Sequence, residues 1–445
     1  MIQVYPEGAI MSKKFFVISI DAMVHEDVEY MMTKPNFSKI MAKRAEVERA
    51  CTVYPSLTYP AHSSILTGCR PGKHGICTNQ PLKTFSDDYS HWYLKSSSLQ
   101  VEDLFAAAKR AGCSTAAVYW PITGCNPNID YIIDEYFFYF PGKETIEEGF
   151  AKLGANELAL QAVRESMDRF PTRIRQKPPT LPSTFDDFLM GCTCSLIRNA
   201  KPDVMLVHNC YLDSFRHYYG VFSPETKDAM DQIDLWLGEV LQAMEDAGCY
   251  EDVNFVILSD HGQMDFTRTV RMNSLLRAGG FIDVAPDGSV YHWDAYAKAS
   301  GMSTTIFLSD PNNEALFRKV YDYLLELAKD ESLGIGAVHP ADELRKRYGT
   351  YGTFSFMVET DGITAFSDDY VGDFIAPGGI PGYRSKHGYE PEKGPQPVFL
   401  ASGPAFKAGA VIPDAFVIDE APTIAAALGQ EMPQAEGRIL RELLV

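Results

Sequence analysis

Short apolar runs alternate with segments of helical periodicity through most of the chain. The runs KFFVISI at 14–20 and NFVILSD at 254–260 are typical of strands buried on both faces. Further apolar runs predict strands at 114–119, 203–209 and 397–403. The spacing predicts helices at 36–45, 99–111, 185–199, 223–247 and 421–428, and a helix start near 62–67. This alternation indicates an α/β fold whose sheet is mostly parallel and carries helices on both faces.

The alternation of strand-like and helical segments becomes irregular between residues 270 and 380. Strand-like pieces at 304–310 and 352–358 flank a predicted helix at 313–329. We therefore expect one catalytic domain over 1–445 with residues 270–380 inserted as a small cap at one edge. The tyrosine-rich run YIIDEYFFYF at 131–140 favours a core or edge strand over a wall of a base pocket.

The charge of the chain restricts its partners. It has 59 acidic and 40 basic residues, a formal net charge of −19. Long-range repulsion argues against polymeric nucleic acid and anionic membranes as partners. A small anionic substrate would need a local positive centre, and bound metal could supply it.

The cysteines and the beginning of the sequence suggest a reducing compartment. The nine cysteines form no CxxC pair, and their odd number does not suit a disulfide framework. MIQVYPEGAIMSKKFF lacks the apolar run of a signal peptide, and no stretch of about 18 apolar residues predicts a membrane span. We therefore expect a cytoplasmic protein.

Three predicted strands end in, or are closely followed by, side chains that can bind metal. These side chains are Asp21, Asp213, His217, Asp260 and His261. Parallel sheets place ligands at the carboxyl ends of their strands, so these residues can converge although they are distant in sequence. Carboxylate and imidazole together suit zinc or manganese.

A second metal and a nucleophile complete the predicted site. Asp213 and His217 are four residues apart and share one face of a helix, and His387 supplies a further imidazole in SKHGY. Two metals about 3.5–4 Å apart can clamp the attacking and leaving oxygens of an in-line displacement. Thr58 stands before a predicted helix, where free N–H groups suit a phosphoryl group, and a metal on its oxygen would make it nucleophilic near neutral pH.

Taken in order, these segments resemble the alkaline phosphatase superfamily, specifically its type I phosphodiesterase/nucleotide pyrophosphatase branch. The resemblance rests on the strand that ends at Asp21, the block 54–79, Trp120-Pro121, LDSFRHYYG at 212–220, SDHG at 259–262 and KHGY at 386–389.

The resemblance implies a three-layer α/β/α sandwich and two Zn²⁺ ions, or Mn²⁺ or another divalent metal in their place. One ion would be held by Asp21, Thr58, Asp260 and His261, and the other by Asp213, His217 and His387. Asn79 would donate to a phosphoryl oxygen, and Tyr59 would face the organic group of the substrate. The implied reaction is hydrolysis of a phosphodiester or nucleotide pyrophosphate through a phospho-threonine.

Two departures from the family pattern leave the substrate open. Ala61 stands where better-known members have Asn, and Lys386 stands where they have a small residue. Lys386 is a candidate to bind substrate. A phosphomonoesterase or phosphonate hydrolase on the same metals would need an added cation, for which the candidates are Arg70, Lys83, Arg384 and Lys386. The complete ligand set argues against a non-catalytic binding protein.

Overall fold

The computed structural model describes residues 13–82, 92–135, 145–171, 185–249, 252–379 and 382–445. Up to residue 258 the strands are β1 (Lys14–Ile20), β2 (Ala45–Cys51), β3 (Thr115–Val118), β4 (Tyr131–Ile133), β5 (Val204–Asn209) and β6 (Val253–Leu258). Between 264 and 386 they are β7 (Met264–Asp265), β8 (Arg268–Arg271), β9 (Ile282–Val284), β10 (Val290–Trp293), β11 (Ala295–Ala299), β12 (Ser303–Leu308), β13 (Ile335–Pro340), β14 (Phe356–Thr360), β15 (Thr364–Ser367), β16 (Ile375–Pro377) and β17 (Ser385–Lys386). The chain continues with β18 (Phe399–Ser402) and β19 (Val411–Phe416).

The described part of the chain contains fourteen α-helices. They are α1 (Val28–Met31), α2 (Pro35–Met41), α3 (Thr58–Thr67), α4 (Pro71–His74), α5 (Leu104–Arg110), α6 (Ile146–Lys152), α7 (Glu157–Glu165), α8 (Phe185–Asn199), α9 (Tyr211–Tyr219), α10 (Pro224–Ala247), α11 (Met272–Ala278), α12 (Glu314–Leu327), α13 (Ala341–Tyr348) and α14 (Glu420–Ala427). Within the described ranges, no helix has both the length and the apolarity to cross a bilayer.

The central sheet has eight strands in the order β19-β2-β18-β6-β1-β5-β3-β4, and all its pairings are parallel except those of β18. Side chains of β1 alternate between two apolar cores: Phe16 and Ile18 face one, and Phe15 and Val17 face the other. Because helices cover both cores, the protein is the expected three-layer sandwich.

The sequence located most elements and misplaced some boundaries. The helix predicted at 36–45 ends at Met41, and Ala45–Cys51 forms β2 instead, with Val47 buried and its neighbours partly or fully exposed. The helix expected near residue 62 begins already at Thr58. The run at 131–140 begins with β4, the edge strand of the sheet, and its residues 136–140 lie outside the described part of the chain.

Residues 270–380 contribute none of the described strands of the central sheet. They form a four-stranded antiparallel sheet in the order β11-β12-β14-β13, with α11 and α12 packed on its apolar core. The role of this region as a cap stays a prediction.

A buried ion pair ties α9 to the turn that follows β1. The side chain of Arg216 has no exposed surface, and its Nη2 donates to both carboxylate oxygens of Asp27 at 2.7 and 2.6 Å. Its Nη1 donates to the carbonyl oxygen of Ala22 at 2.6 Å. Ala22 follows Asp21 and has a φ of 60°, a left-handed conformation that is costly for alanine. Arg216 therefore stabilises a strained turn beside a predicted ligand.

We expect Arg216→Met to destabilise the protein by about 3–5 kcal/mol, because Asp27 would keep a buried charge without a partner. Urea unfolding of the metal-free protein measures this loss. Arg198→Met is the matched control, since Arg198 and Asp246 pair with 43% and 44% of their side chains exposed; its cost should stay below about 1 kcal/mol. Equal small losses in both variants would contradict the role given to Arg216.

Candidate active site

The carboxyl ends of β1 and β6 bring three predicted ligands together. Asp260 Oδ2 lies 3.0 Å from His261 Nε2, and Asp21 Oδ1 lies 3.7 Å from the same nitrogen. All three residues are buried, and neither Asp21 Oδ1 nor Asp260 Oδ2 has a hydrogen-bond partner among the described residues. Convergent, buried carboxylate oxygens without donors fit a bound cation.

A second group of ligands adjoins the first. Asp213 on α9 has Oδ2 at 3.3 Å from His217 Nε2 and Oδ1 at 4.0 Å from His387 Nε2. The rings of His261 and His387 are stacked, with centroids 3.9 Å apart. Ligand atoms of Asp213, His261 and His387 all lie within 4.8 Å of one another, as do those of Asp21, Asp260 and His261. The six predicted side chains thus form one continuous cluster with His261 at its centre.

Backbone carbonyl groups orient two of the imidazoles. His217 Nδ1 lies 2.8 Å from the carbonyl oxygen of Ser385, and His387 Nδ1 lies 3.1 Å from that of Ser56. A nitrogen that donates to a carbonyl group leaves the lone pair on the other ring nitrogen, which is the form that binds metal. In both residues Nε2 is the nitrogen that faces Asp213.

Thr58 is the first residue of α3 and lies at the edge of this cluster. Its Oγ1 is 3.3 Å from His261 Nε2. The side chain of Leu57 at the N-cap position cannot accept from the helix, and Pro60 has no N–H group. The N–H of Tyr59 donates to Asn79 Oδ1 at 3.0 Å, which leaves the amide NH₂ of Asn79 to donate elsewhere. A positive helix end and an amide donor thus accompany the hydroxyl group.

The two other predicted substrate contacts have contrasting surroundings. Tyr59 is completely buried and its ring packs on Trp92, with centroids 5.0 Å apart. A substrate could therefore reach Tyr59 only if its covering side chains moved. Lys386 is partly exposed, and its Nζ lies 5.3 Å from the ring centroid of Tyr383, which stacks on His217. Burial lowers the pKa of the Lys386 ammonium group. Both contacts stay predictions.

The other candidate cations are less well placed. The guanidinium of Arg70 contacts the carbonyl oxygen of Tyr348 and the ring of Phe416. Arg384 is exposed, and Lys83 lies outside the described residues. Among the three candidates that the structure describes, Lys386 is thus the strongest for a substrate contact.

The electrostatics of the cluster favour a cation. Burial, and then the charge of Asp213, raises the pKa of Asp21 well above its usual value, and burial with the charge of Asp21 does the same for Asp260. Burial works against ionisation of Asp213 too, but His217 and His387 hold its pKa well below the usual range. Burial lowers the pKa of His387 to about 4, so its imidazole is neutral and able to bind metal near pH 7.

Two residues outside the predicted ligand set support the site. His62 lies one helical turn after Thr58; its Nδ1 is 2.8 Å from the carbonyl oxygen of Thr58 and its Nε2 is 2.9 Å from Ser19 Oγ. Gln263 donates to the carboxylate and the carbonyl oxygen of Asp213. The position of His62 one helical turn after Thr58, and of Gln263 directly after SDHG, indicates that both lie near the site. Their hydrogen-bond partners are seen only in the folded structure.

Comparisons with known proteins concern the family of the whole chain. A sequence model of the family described as type I phosphodiesterase/nucleotide pyrophosphatase matches residues 15–396. An uncharacterized pyrophosphatase/phosphodiesterase of Schizosaccharomyces pombe is 23% identical over 264 residues, which cover 57% of this chain and 45% of that protein. The human bis(5'-adenosyl)-triphosphatase ENPP4 is 24% identical over 272 residues, 58% of this chain and 50% of that protein. The matches span between 21% and 51% of the length of the curated relatives.

A solved structure shows the same fold. Murine ectonucleotide pyrophosphatase/phosphodiesterase 5, as an inactive variant in complex with AMP, superposes with a TM-score of 0.67 at 18% identity. The superposition covers 98% of this chain and all of that one. Because the family match extends over most of the sequence, the chain belongs to the type I phosphodiesterase/nucleotide pyrophosphatase family.

Proposed function

We propose that the protein is a metal-dependent hydrolase of phosphodiester or nucleotide pyrophosphate bonds that uses Thr58 as its nucleophile. The observation that carries this proposal is the position of Thr58 Oγ1, 3.3 Å from His261 Nε2, at a helix start beside the clustered carboxylates. Membership of the family supports this reaction class.

The residues present fit two divalent cations. Asp21, Asp260 and His261, with Thr58, would hold one. Asp213, His217 and His387 would hold the other. The donor set of carboxylate and imidazole suits Zn²⁺, with Mn²⁺ or another divalent metal as the alternative. When bound, the cations supply Lewis acidity and lower the pKa of the hydroxyl group that attacks.

The protein residues then perform a double displacement. Thr58 Oγ1, after losing its proton to solvent, forms a bond to phosphorus while the bond to the leaving oxygen breaks, and that oxygen keeps the electron pair. The NH₂ group of Asn79 stabilises a phosphoryl oxygen as charge develops. Water next attacks phosphorus of the phospho-threonine and loses a proton to solvent. The bond from phosphorus to Thr58 Oγ1 breaks, Oγ1 keeps the electron pair and takes up a proton, and the free hydroxyl group returns.

The relatives support a small nucleotide as substrate. One is named as a bis(5'-adenosyl)-triphosphatase, and the murine neighbour was solved with AMP. The net charge of −19 argues against polymeric nucleic acid and anionic membranes as partners. The nine cysteines are all free, which supports the proposed cytoplasmic location; fractionation of cells would test it.

Thr58→Ala should abolish turnover of a nitrophenyl nucleotide diester while the protein stays folded and keeps most of its metal, because only the attacking oxygen is lost. Thr58→Ser keeps a hydroxyl group and should keep measurable activity. Asn79→Ala should lower kcat by about 10²-fold, as for loss of one oxyanion donor. Steady-state kinetics with metal analysis of each variant measures these effects.

The stereochemistry of a chiral thiophosphate substrate tests the same mechanism independently. Two in-line displacements give net retention at phosphorus, whereas a single attack by water gives inversion. A Thr58→Ala variant with a near wild-type rate, or inversion, would contradict the phospho-threonine.

Metal analysis of gently purified, active protein should give about two equivalents of a divalent cation per chain. A chelator should abolish turnover, because it removes the Lewis acid and leaves the buried carboxylates of Asp21 and Asp260 without compensating charge. Added zinc should restore the rate. Full activity with one equivalent or none would exclude the two-cation arrangement.

Lys386 favours a second candidate, hydrolysis of a phosphomonoester or phosphonate, because its ammonium group lies near the second ligand group. If it contacts the extra charge of such substrates, Lys386→Met should lower kcat/KM for nitrophenyl phosphate or phosphonoacetate about tenfold or more. The same variant should change kcat/KM for the nucleotide diester about twofold at most. Lys329→Met, at an exposed lysine paired with Glu326, is the control.

Parallel assays on the three substrates decide between the two candidates. We expect wild-type protein to prefer the diester. Equal effects of Lys386→Met on all three substrates would exclude a contact with the extra charge.

A further inference from the structure

A histidine that the proposed mechanism does not use lies directly behind Asp21. His208 is the only ionisable residue of the apolar strand β5, and it is 1% exposed. Strand alternation places it on the same face of the sheet as Leu206, toward α3. Its register partner on β1 is Ser19, two residues before Asp21. The parallel pairing of β1 with β5 thus places the imidazole of His208 beside the carboxylate of Asp21, the residue that follows β1.

The two carboxylate oxygens of Asp21 have different surroundings: one faces His208, and the other faces the other predicted ligands. His208 Nε2 lies 3.0 Å from Asp21 Oδ2, while Oδ1 lies 3.7 Å from His261 Nε2 on the side of the other ligands. The ring of His208 stacks on that of Tyr119 with centroids 6.1 Å apart, and its Nδ1 lies 3.2 Å from the carbonyl oxygen of Tyr119. The ring of His62, which bonds to Thr58, packs on His208 with centroids 4.3 Å apart.

We propose that His208 is a positioning residue for the first cation. Its Nε2–H donates to Asp21 Oδ2 and so holds Asp21 Oδ1 toward His261 and Asp260. The inference rests on the proposed function only in that Asp21 binds a cation. Without this donor the carboxylate would lose its fixed orientation, and one buried oxygen would lose its partner.

A third cation held by Asp21, His208 and Cys210 is the alternative arrangement, since atoms of these residues lie within 4.8 Å of one another. The hydrogen bond explains the geometry more simply. His208 Nε2 already faces Asp21 Oδ2 at a hydrogen-bond distance, so one donated proton satisfies this oxygen without a further ion. The two arrangements differ in the number of ions bound, so the same titration distinguishes them.

The test is a titration of the metal-free full-length chain with Zn²⁺ in competition with a chelator, and with Co²⁺ followed by its visible absorption. His208→Phe should weaken one of the two sites by about 10–100-fold and leave the other within about threefold. His208→Gln, whose amide can still donate to Asp21, should recover most of that affinity.

His74→Phe is the matched control. His74 is also completely buried in an apolar region, and its Nε2 bonds to Ser64 Oγ at 2.9 Å, but it contacts no predicted ligand. This variant should lose stability and keep both cation affinities. The stability of each variant is measured separately by urea unfolding without metal.

Three results would overturn the proposal: equal weakening of both sites, no recovery in His208→Gln, or loss of a third equivalent of cation in His208→Phe. Turnover is measured on the same samples, which separates the two proposals. A wild-type protein that binds two cations but hydrolyses no phosphate ester would refute the proposed function and leave the role of His208 intact. A loss of kcat with little change in KM in His208→Phe, recovered in His208→Gln, would support both.

Discussion

The carboxylates of Asp21, Asp213 and Asp260 lie close together at the carboxyl edge of the central sheet. Their mutual repulsion is the constraint that the rest of the site must satisfy. Asp21 and Asp260 are almost completely buried; the charge of Asp213 raises the pKa of Asp21, and the charges of Asp21 and Asp213 raise the pKa of Asp260. In a medium of low dielectric constant such charges persist only with compensating positive charge. Divalent cations supply it, and the same compensation makes a nearby hydroxyl group a better nucleophile.

The fold meets this constraint with rigid elements. Parallel pairing of β1 with β5 and β6 brings three strand ends side by side, so Asp21 and Asp260 are fixed by the sheet itself. Helix α9 then presents Asp213 and His217, while Arg216 between them is tied to Asp27 and Ala22. The second ligand group is thus connected to the turn that follows the first ligand. A movement of either ligand group would therefore displace the other.

The sequence predicted those parts that follow from local pattern. Apolar runs identified β1, β5 and β6, and the acidic residues at their ends located the edge of the sheet where the site lies. Strand β2 was missed because AEVERAC carries charged residues that resemble a helix end. His208 and Gln263 were missed because their partners come from distant segments, so that only the strand order brings them together. A histidine in an otherwise apolar strand was the one available signal for His208.

Anomalous diffraction at the zinc absorption edge, on crystals of the zinc-loaded protein, tests the central claim most directly. Two peaks about 3.5–4 Å apart are expected, one bound by Asp21, Asp260 and His261 and the other by Asp213, His217 and His387, at distances of about 2.0–2.2 Å. Thr58 Oγ1 should lie within contact of the first. A single peak, or peaks that leave Asp21 and Asp260 without a cation, would contradict the account.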